Sequence, residues 1–387
     1  MKFAHLGDTH LSKKDKIKER STDFEVAFEK AVDSIIEKNV DFVIHSGDLF
    51  DTGKPEIESI LFCMEQLEKL KKVGIKFYVI KGSHDVGFGE TKTIIDLLEQ
   101  AGYLINLSSP RYLKEDTLSG EKIGNVYIFG VWGKKSGIKD FYEKVKISPV
   151  PNFFNIFLFH QAVSLAKGVE MFADIDAEHL PKGFDYYASG HWHGREELKY
   201  DNKPLIYPGS LENCNVDEML KNDKKGYYLV NTETGNYEFV EISTRKVKVV
   251  NVKAEGENSE ELMKKAIALM GESGNEKEIL VIVFSGEIED KRTKIDKGYL
   301  SRISSEKGYL FTSVSLSKLK ELEGEDVEIK QTNVNKIEEE YLTAKGYDKS
   351  EIELAREIME IVGRKLTPSE LDKETERVKK IIEMYAK

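Results

Sequence analysis

The chain has 387 residues, 40% of them hydrophobic and 33% charged, and its formal net charge is −11. This length fits two or three domains, and the apolar residues suffice for a core but never form a run approaching the ~20 residues of a membrane span. The acidic balance argues against a surface that binds nucleic acid over its whole extent, although a local basic patch can still contact phosphates.

Strand and helix patterns alternate over the first 105 residues. Apolar runs predict strands at Phe3–Leu6, Phe42–His45 and Phe77–Ile80. Apolar residues at helical spacing fill the two intervals, from Phe24 to Ile35 and from Ile57 to Leu67. The repetition of strand, helix and strand predicts parallel pairing with right-handed crossovers.

Short strands dominate the next part of the chain. They are predicted at Val126–Val131, Ile156–Phe159, Tyr186–Ala188, Pro204–Tyr207, Gly226–Val230 and Tyr237–Ile242. Two packed sheets with helices outside account for this order of elements. We therefore expect an α/β fold whose core is a two-sheet α/β sandwich.

A smaller unit follows a change in composition. Lys, Glu, Gly and Asn interrupt the strand pattern over residues 248–258. A helix at Glu260–Met270, a strand at Ile279–Phe284 and a second strand around Tyr309–Val314 come next. These elements predict a small α+β domain, too small to be a second enzyme and well sized for a cap.

The last part of the chain reads as a polar linker and a helical tail. Residues 324–335 are polar, and two amphipathic helical patterns follow, one around Ile358 and one around Ile382. Their apolar stripes predict docking of a partner, or else packing of the tail back on the core. The predicted organisation is a catalytic domain at 1–248, a capping domain at 249–323, a linker at 324–335 and a helical segment at 336–387.

Cysteine usage and the N-terminal sequence bear on the compartment. Cys63 and Cys214 are the only cysteines, so neither a disulfide framework nor a cysteine-based zinc site is indicated. The first residues enter a strand pattern without the apolar stretch of a secretory signal. These features predict a cytoplasmic protein.

Aspartates and histidines follow the ends of five predicted strands. The series is Asp8 and His10, Asp48 and Asp51, Ser83, His84 and Asp85, His160, and His191 and His193. Loops beyond the carboxyl ends of strands in one sheet line a common crevice, so these side chains should converge. Carboxylate and imidazole ligands without thiolate suit manganese, iron or zinc, and about seven ligands suit two ions. The series predicts a two-metal phosphoesterase.

The spacing also suggests which residues would bind each of the two ions. Asp48, in the tight turn after Gly47, is the natural bridge between two cations. Asp8 and His10 share a face and would hold the first ion with one histidine of the His191–His193 turn. The other histidine of that turn and His160 would hold the second ion. Two ions ~3.5–4 Å apart can activate water and stabilise both attacking and leaving oxygens of a phosphoester.

Other residues near this series have different expected tasks. His84 can neutralise the phosphate in the transition state or protonate the leaving oxygen. Asp51 and Asp85 could orient neighbouring imidazoles. His5 and His45 lie within strands and His179 in a polar segment, and we expect these three to be structural.

The ordered motifs resemble those of a known superfamily. Asp-x-His, Gly-Asp-x-x-Asp, Gly-x-His-Asp, His and Gly-His-x-His, over residues 1 to about 195, resemble the calcineurin-like metallophosphoesterases. Further motifs are similar to one branch, the SbcD/Mre-type nucleases. They are FAHLGDTHL from Phe3, SGDLF from Ser46, His160-Gln161, and YPGSLE from Tyr207.

This resemblance implies a function and a set of ligands. It implies a manganese-dependent nuclease, with 3′–5′ exonuclease and single-strand endonuclease activity, that processes DNA double-strand breaks. Its partners would be DNA, a second copy of the chain, and an SbcC/Rad-fifty-type ATPase that docks on the C-terminal helices. Matched by position, the metal ligands would be Asp8, His10, Asp48, Ser83, His160, His191 and His193, with His84 as the catalytic histidine.

The chain departs from the branch at three positions. Ser83 stands where the family has an asparagine whose amide oxygen ligates the second metal, and a hydroxyl is a shorter and weaker ligand. Asp51 stands where many relatives of the branch have histidine. Asn213 follows the Gly-Ser-x-Glu motif, where arginine is common. The serine predicts a weakened second metal position.

Two other functions remain open. One is a metallophosphoesterase that acts on nucleotides or small phosphodiesters. The other is a scaffold that keeps the fold but has lost catalysis because of Ser83. Basic residues after the first loop, Lys13–Lys14 and Lys16–Arg20, could approach DNA phosphates or could simply be a solvated loop.

Overall fold

The structure is a computed structural model that describes residues 1–14, 18–86, 92–133, 137–166, 169, 173–273, 277–289, 291–322, 349 and 352. The chain divides into one compact unit at Met1–Leu322 and another at Glu323–Lys387. The predicted linker at 324–335 and the helical segment at 336–387 lie outside the described residues, apart from 349 and 352. The elements below belong to the first unit.

Helices and strands alternate as the sequence predicts over the first hundred residues. The α-helices are α1 (Lys18–Glu37), α2 (Ile57–Lys72), α3 (Ile94–Gln100), α4 (Ile138–Lys144), α5 (Val216–Lys221), α6 (Ser259–Met270) and α7 (Lys297–Glu306). The first nine strands are β1 (Lys2–Leu6), β2 (Phe42–His45), β3 (Lys76–Val79), β4 (Ile105–Asn106), β5 (Leu113–Lys114), β6 (Thr117–Leu118), β7 (Glu121–Ile123), β8 (Val126–Val131) and β9 (Lys146–Ile147). The others are β10 (Phe154–Phe159), β11 (Tyr186–Ser189), β12 (Glu196–Tyr200), β13 (Lys203–Tyr207), β14 (Gly226–Asn231), β15 (Tyr237–Glu241), β16 (Val247–Glu255), β17 (Ile279–Ile288) and β18 (Phe311–Glu321).

Two six-stranded sheets form the core of the α/β sandwich. The first has the order β15-β14-β1-β2-β3-β4, and the second has the order β12-β13-β11-β10-β8-β7. In each sheet the central strands run parallel. Antiparallel pairs lie toward the edges: β1 with β14 and β14 with β15 in the first sheet, and β7 with β8 and β12 with β13 in the second. The parallel centres bring the carboxyl ends of β1, β2, β3, β10 and β11 toward one region.

Alternation along β1 shows how the layers are built. Phe3 belongs to the buried cluster between the sheets, with Ile128 and Ile156 of the second sheet. Its neighbour Ala4 points to the other face and packs in the cluster that includes Phe28 of α1. Successive residues of a strand face opposite sides, so β1 contributes to two apolar layers and is buried on both faces.

A third sheet lies in the region of the predicted capping domain. Strands β16, β17 and β18 are all parallel, with α6 and α7 in the two crossovers. One face of this cap sheet packs against α6 and α7, and the other places Ile279 and Val281 against Met219 of α5. We call β16–β18 with α6 and α7 the cap.

Three details differ from the sequence predictions. Residues 248–258 do not interrupt the strand pattern, because Val247–Glu255 is strand β16, with Val252 and Ala254 buried and the intervening residues exposed. Helix α7 was not predicted. On α2, Ile57 and Leu61 are exposed, while Cys63 and Leu67 form the buried face. Among the described helices, none is long and apolar enough to cross a membrane.

Candidate metal centre

Loops after five strands of the two large sheets bring the predicted ligands together. Asp8 and His10 follow β1, Asp48 follows β2, and Ser83 and His84 come after β3. From the second sheet, His160 follows β10, and His191 and His193 follow β11. Carboxyl ends of parallel strands therefore supply the whole set, as the sequence predicts.

The backbone at this centre is held in an unusual conformation. Asp8, His10, Asp48 and His191 have φ angles of 49°, 51°, 54° and 78°, in the left-handed region that non-glycine residues seldom occupy. Gly47 has φ 97°, and a Cβ there would lie 2.5 Å from His160 Nδ1. Such conformations persist only where the surroundings fix them, and they cluster at functional sites.

One group of ligands lies around His10 and His193. Their Nε2 atoms are 3.0 Å apart. His10 Nδ1 donates to Asp51 at 2.9 Å, and His193 Nδ1 donates to Glu218 at 2.8 Å. A carboxylate on Nδ1 leaves Nε2 as the nitrogen that can bind a cation. Asp8 lies beside this group, with Oδ1 3.8 Å from His193 Nε2.

The second group contains Asp48, His160 and His191, with one potential ligand atom of each within 4.8 Å of the others. His160 Nδ1 donates to the Ser46 carbonyl at 2.7 Å. His160 Nε2 is buried without a hydrogen-bond partner, 3.2 Å from Asp48 Oδ2. An orphaned buried nitrogen beside a carboxylate fits a site that a divalent cation completes.

Asp48 lies between the two groups. Its Oδ2 is 3.2 Å from His160 Nε2 and 4.0 Å from His10 Nε2, and its Oδ1 accepts the backbone N–H of His84 at 2.7 Å. Burial would raise the pKa of Asp48, but the charges of His160 and His10 outweigh burial and hold that pKa far below its ordinary value. An ionised carboxylate in this position is suited to bridge two cations.

His160 is the electrostatic partner of Asp48. Burial by itself would lower the pKa of His160, but the negative charges of Asp48 and Asp8 raise it to about 9. Two carboxylates and four imidazoles, with Asp48 shared, form a donor set that fits two divalent ions.

Ser83 and His84 lie on the accessible side of Asp48. Ser83 Oγ donates to Asp48 Oδ2 at 3.4 Å, so its hydroxyl is beside the second group. His84 Nδ1 donates to the Asp51 carbonyl at 2.9 Å, and its side chain is 46% exposed. Nε2 of His84 is therefore the ring nitrogen left for a substrate.

The two remaining aspartates have separate tasks. Asp51 orients His10, as predicted, and also accepts from Lys13 at 2.9 Å. Asp85 does not orient an imidazole as predicted; its carboxylate accepts the backbone N–H groups of Leu49, Phe50 and Gly82. It therefore ties the loops after β2 and β3 together, and burial with nearby Asp48 raises its pKa to about 6.

The other histidines contact protein groups rather than the ligand groups. His45 Nε2 bonds to the Thr9 hydroxyl at 2.7 Å, and its Nδ1 accepts the backbone N–H of Gly47. His5 Nδ1 bonds to the Tyr186 hydroxyl at 3.0 Å. Burial lowers the pKa of both to about 3, so both are neutral at ordinary pH.

The basic residues after β1 only partly fit the predicted DNA contact. Arg20 is buried and pairs with Asp23 at 3.1 Å and with Glu212 at 3.3 Å, so it is not available to phosphates. It also donates to the carbonyl of Asn213. Glu212 therefore has its guanidinium partner from α1, although arginine is absent from the position after it. Lys16 lies outside the described residues.

Sequence reasoning missed three residues that border the centre. Glu218 of α5 holds His193, Asp174 Oδ2 lies 3.6 Å from His191 Nε2, and the Cys214 thiol lies near His10 and His193. Glu218 is also the N3 residue capped by Asn215, a pattern that predicts a helix start but not a neighbouring metal centre. No local pattern marks Asp174 or Cys214.

Comparison with known proteins adds a family match. A family model described as calcineurin-like phosphoesterase matches residues 1–195. This range contains every predicted ligand and His84, together with the strands that position them.

Similar curated proteins match over more of the chain. A protein of Saccharolobus solfataricus is 30% identical over 305 residues, 74% of this chain and 76% of the relative. One from Archaeoglobus fulgidus is 29% identical over 86% of this chain and 77% of the relative, and one from Sulfolobus acidocaldarius is 26% identical over 93% and 94%. All three bear the name DNA double-strand break repair protein Mre11.

Proposed function

This chain belongs to the calcineurin-like phosphoesterase family and to the Mre11 family of DNA double-strand break repair proteins, and we propose on that basis that it cleaves DNA at double-strand breaks. It is a metal-dependent phosphoesterase. The proposed reaction is hydrolysis of a DNA phosphodiester, with 3′–5′ exonuclease and single-strand endonuclease activity.

One observation carries the proposal. Two ligand groups lie around Asp48, and His84 lies beside them at the exposed edge. A phosphodiester approaching from solvent would meet His84 and the ligand groups together. Ser83 stands next to Asp48 on the same side. This arrangement provides both cation ligands and an accessible proton donor or charge for the leaving group.

Each residue has a defined task in the proposed reaction. Asp8, His10 and His193 would hold one divalent ion and His160 and His191 the other, with Asp48 common to both. Such a pair of ions, when bound, lowers the pKa of water and stabilises charge on the attacking and leaving oxygens. The Asp51 carbonyl fixes the His84 ring, so that Nε2 can neutralise the phosphate or protonate the leaving oxygen. We propose Mn²⁺ as the ion.

The proposed partners use other surfaces. DNA would extend from the centre onto the predicted capping domain, residues 249–323. An SbcC/Rad-fifty-type ATPase would bind the segment 336–387, which lies outside the described residues. Dimerisation of the chain is supported by Ile57 and Leu61, one turn apart on α2 and 70% and 53% exposed. We place these activities in the cytoplasm.

The test compares substrates and variants. Wild-type protein, His84→Ala and the control His179→Gln, a half-buried histidine outside the ligand groups, are assayed with Mn²⁺ on linear duplex DNA, single-stranded DNA and a nitrophenyl phosphodiester. We expect DNA cleavage by wild type and control, and its loss in His84→Ala. Cleavage of the small diester but not DNA would support a nucleotide phosphodiesterase. Bound metal without cleavage of either substrate would support a scaffold.

The proposed ATPase contact has its own test. Deleting residues 336–387 should leave Mn²⁺-dependent cleavage and thermal stability nearly unchanged and abolish association with the ATPase. Ile358→Glu and Ile382→Glu should reproduce the binding defect, because each puts a carboxylate into an apolar seam. A truncated protein that melts several degrees lower and still binds the ATPase would assign the tail to the core.

A further inference from the structure

Cys214 lies at the edge of the first ligand group. Its sulfur, a nitrogen of His10 and a nitrogen of His193 all lie within 4.8 Å of one another. The thiol is half-buried in the segment between β13 and α5. Only two cysteines occur in the chain, and Cys63, the other, is buried in the apolar cluster that α2 forms with the first sheet.

The same carboxylate positions Cys214 and His193. Glu218 Oε1 accepts from His193 Nδ1 at 2.8 Å, and Glu218 Oε2 accepts the backbone N–H of Cys214 at 3.0 Å. Glu218 is in turn held by Lys225 Nζ at 3.1 Å and by Ser210 Oγ at 2.9 Å. The imidazole and the thiol are therefore fixed relative to each other by a buried network.

The Nε2 nitrogens of His10 and His193 are the ones left for a cation. Both Nδ1 atoms of His10 and His193 are engaged by carboxylates, so their Nε2 atoms, 3.0 Å apart, point into the group. The third potential protein ligand, Asp8 Oδ1, is 3.8 Å from His193 Nε2. Two imidazoles and a thiol therefore lie together, with the Asp8 carboxylate beside His193.

We propose that Cys214 is a further metal ligand of this position and raises its affinity for thiophilic divalent ions such as Zn²⁺ or Co²⁺. The proposal rests on the metal centre of the proposed function and specifies the chemistry of its first ion. Thiolate ligands favour zinc and cobalt, whereas manganese favours carboxylate, carbonyl and water oxygens. Sulfur ligation releases the thiol proton to solvent, and the sulfur lone pair forms the new bond.

Zinc dimensions are compatible with the group. Zn–S and Zn–N bonds are about 2.3 and 2.0–2.1 Å long, and one ligand atom each of Cys214, His10 and His193 lies within 4.8 Å of the other two. Cys214 would bind together with His10 and His193, and Asp8 lies beside His193. Mn²⁺ would use the carboxylate and imidazoles and gain little from the sulfur.

Cobalt spectroscopy tests sulfur ligation without any activity measurement. The full-length metal-free chain is titrated with Co²⁺, and the near-ultraviolet sulfur-to-cobalt charge-transfer band is recorded for wild type, Cys214→Ser and Cys63→Ala. We expect the band in wild type and Cys63→Ala and its loss in Cys214→Ser. Cobalt affinity should fall at least ~10-fold in Cys214→Ser, while Mn²⁺ affinity is unchanged. Absence of the band in wild type, or its persistence in Cys214→Ser, overturns the proposal.

A second measurement needs no variant. Alkylation of Cys214 in wild-type protein, located by mass spectrometry, should be slowed by Zn²⁺ and unaffected by Mn²⁺ at matched saturation. Equal protection by both ions, or by neither, would also overturn the proposal. Neither readout depends on DNA cleavage, so a protein with the sulfur band but no nuclease activity would refute the proposed function and leave this ligand assignment standing.

Discussion

Glu218 and Met219 are consecutive residues of the short helix α5 that contact different parts of the molecule. Glu218 accepts a hydrogen bond from His193 Nδ1 at 2.8 Å, whereas Met219 is buried against Ile279 and Val281 of β17. Helix α5 therefore lies between the metal centre and the cap.

The first prediction concerns this support for His193. Glu218→Gln keeps the shape of the side chain but removes the charge that orients the imidazole, and it leaves Lys225 with a weaker partner. Loss of such a partner typically weakens metal binding 10–100-fold. Calorimetric titration with Mn²⁺ should show a decrease of about this size, with Asp217→Asn, an exposed neighbour, as the matched control. Equal affinities in the two variants would show that Glu218 has no part in holding the ligand.

The second prediction concerns Ser83. Its hydroxyl is 3.4 Å from Asp48 Oδ2, and an amide oxygen from the same backbone position would reach further and donate more strongly. Ser83→Asn should therefore lower the Mn²⁺ concentration for half-maximal activity several-fold, and Ser83→Ala should not. The measurement is a metal titration of the cleavage rate. An unchanged or raised requirement in the asparagine variant would show that serine is a full substitute.

The third prediction separates catalysis from metal binding. His84→Ala should retain metal, because its Nδ1 contacts a carbonyl and its ring is half exposed, yet lose about 10²- to 10⁴-fold in rate. Asp48→Asn should lose both metal and activity, because Asp48 lies in contact with both ligand groups. Metal content is measured beside turnover in each variant. Equal loss of metal from both would refute the role assigned to His84.

The ends of the core strands could be predicted because each apolar run is followed directly by residues that can bind a metal. β1, β2 and β3 are buried on both faces, so they read as continuous apolar runs, and the ligands follow directly. The sequence could not distinguish between the two histidines of the last turn. The structure does so, since His193 lies with His10 and His191 lies with His160.

Other features could not be predicted, for physical reasons. β16 is an edge strand in which buried Val252 and Ala254 alternate with exposed Lys253 and Glu255, and a composition average hides that alternation. Glu218 acts on a residue 25 positions away, and its contact depends on the packing of α5 rather than on local spacing. Contacts between residues so far apart in the chain leave no periodic pattern in the sequence from which they could be predicted.

The last prediction concerns acid stability through His5. This buried imidazole has a pKa of about 3 in the folded protein, against 6.5 ordinarily, because burial and nearby His45 disfavour its charge. Between those values the unfolded chain binds a proton that the folded chain does not. Stability from the neutral imidazole is therefore complete above pH 6.5 and declines as pH falls toward 3, by about 2 kcal/mol at pH 5.

Replacing His5 should reduce the fall in melting temperature at acid pH. His5→Phe loses the hydrogen bond to Tyr186, a cost of about 1 kcal/mol that does not depend on pH, so the variant should melt lower near pH 7. Its melting temperature should then fall less than that of wild type between about pH 7 and pH 5, because no buried imidazole must be kept neutral. His179→Gln, at a half-buried position, should keep the wild-type dependence of melting temperature on pH. If the melting temperatures of wild type and His5→Phe fell equally with pH, the charging of His5 would not govern acid unfolding in this range.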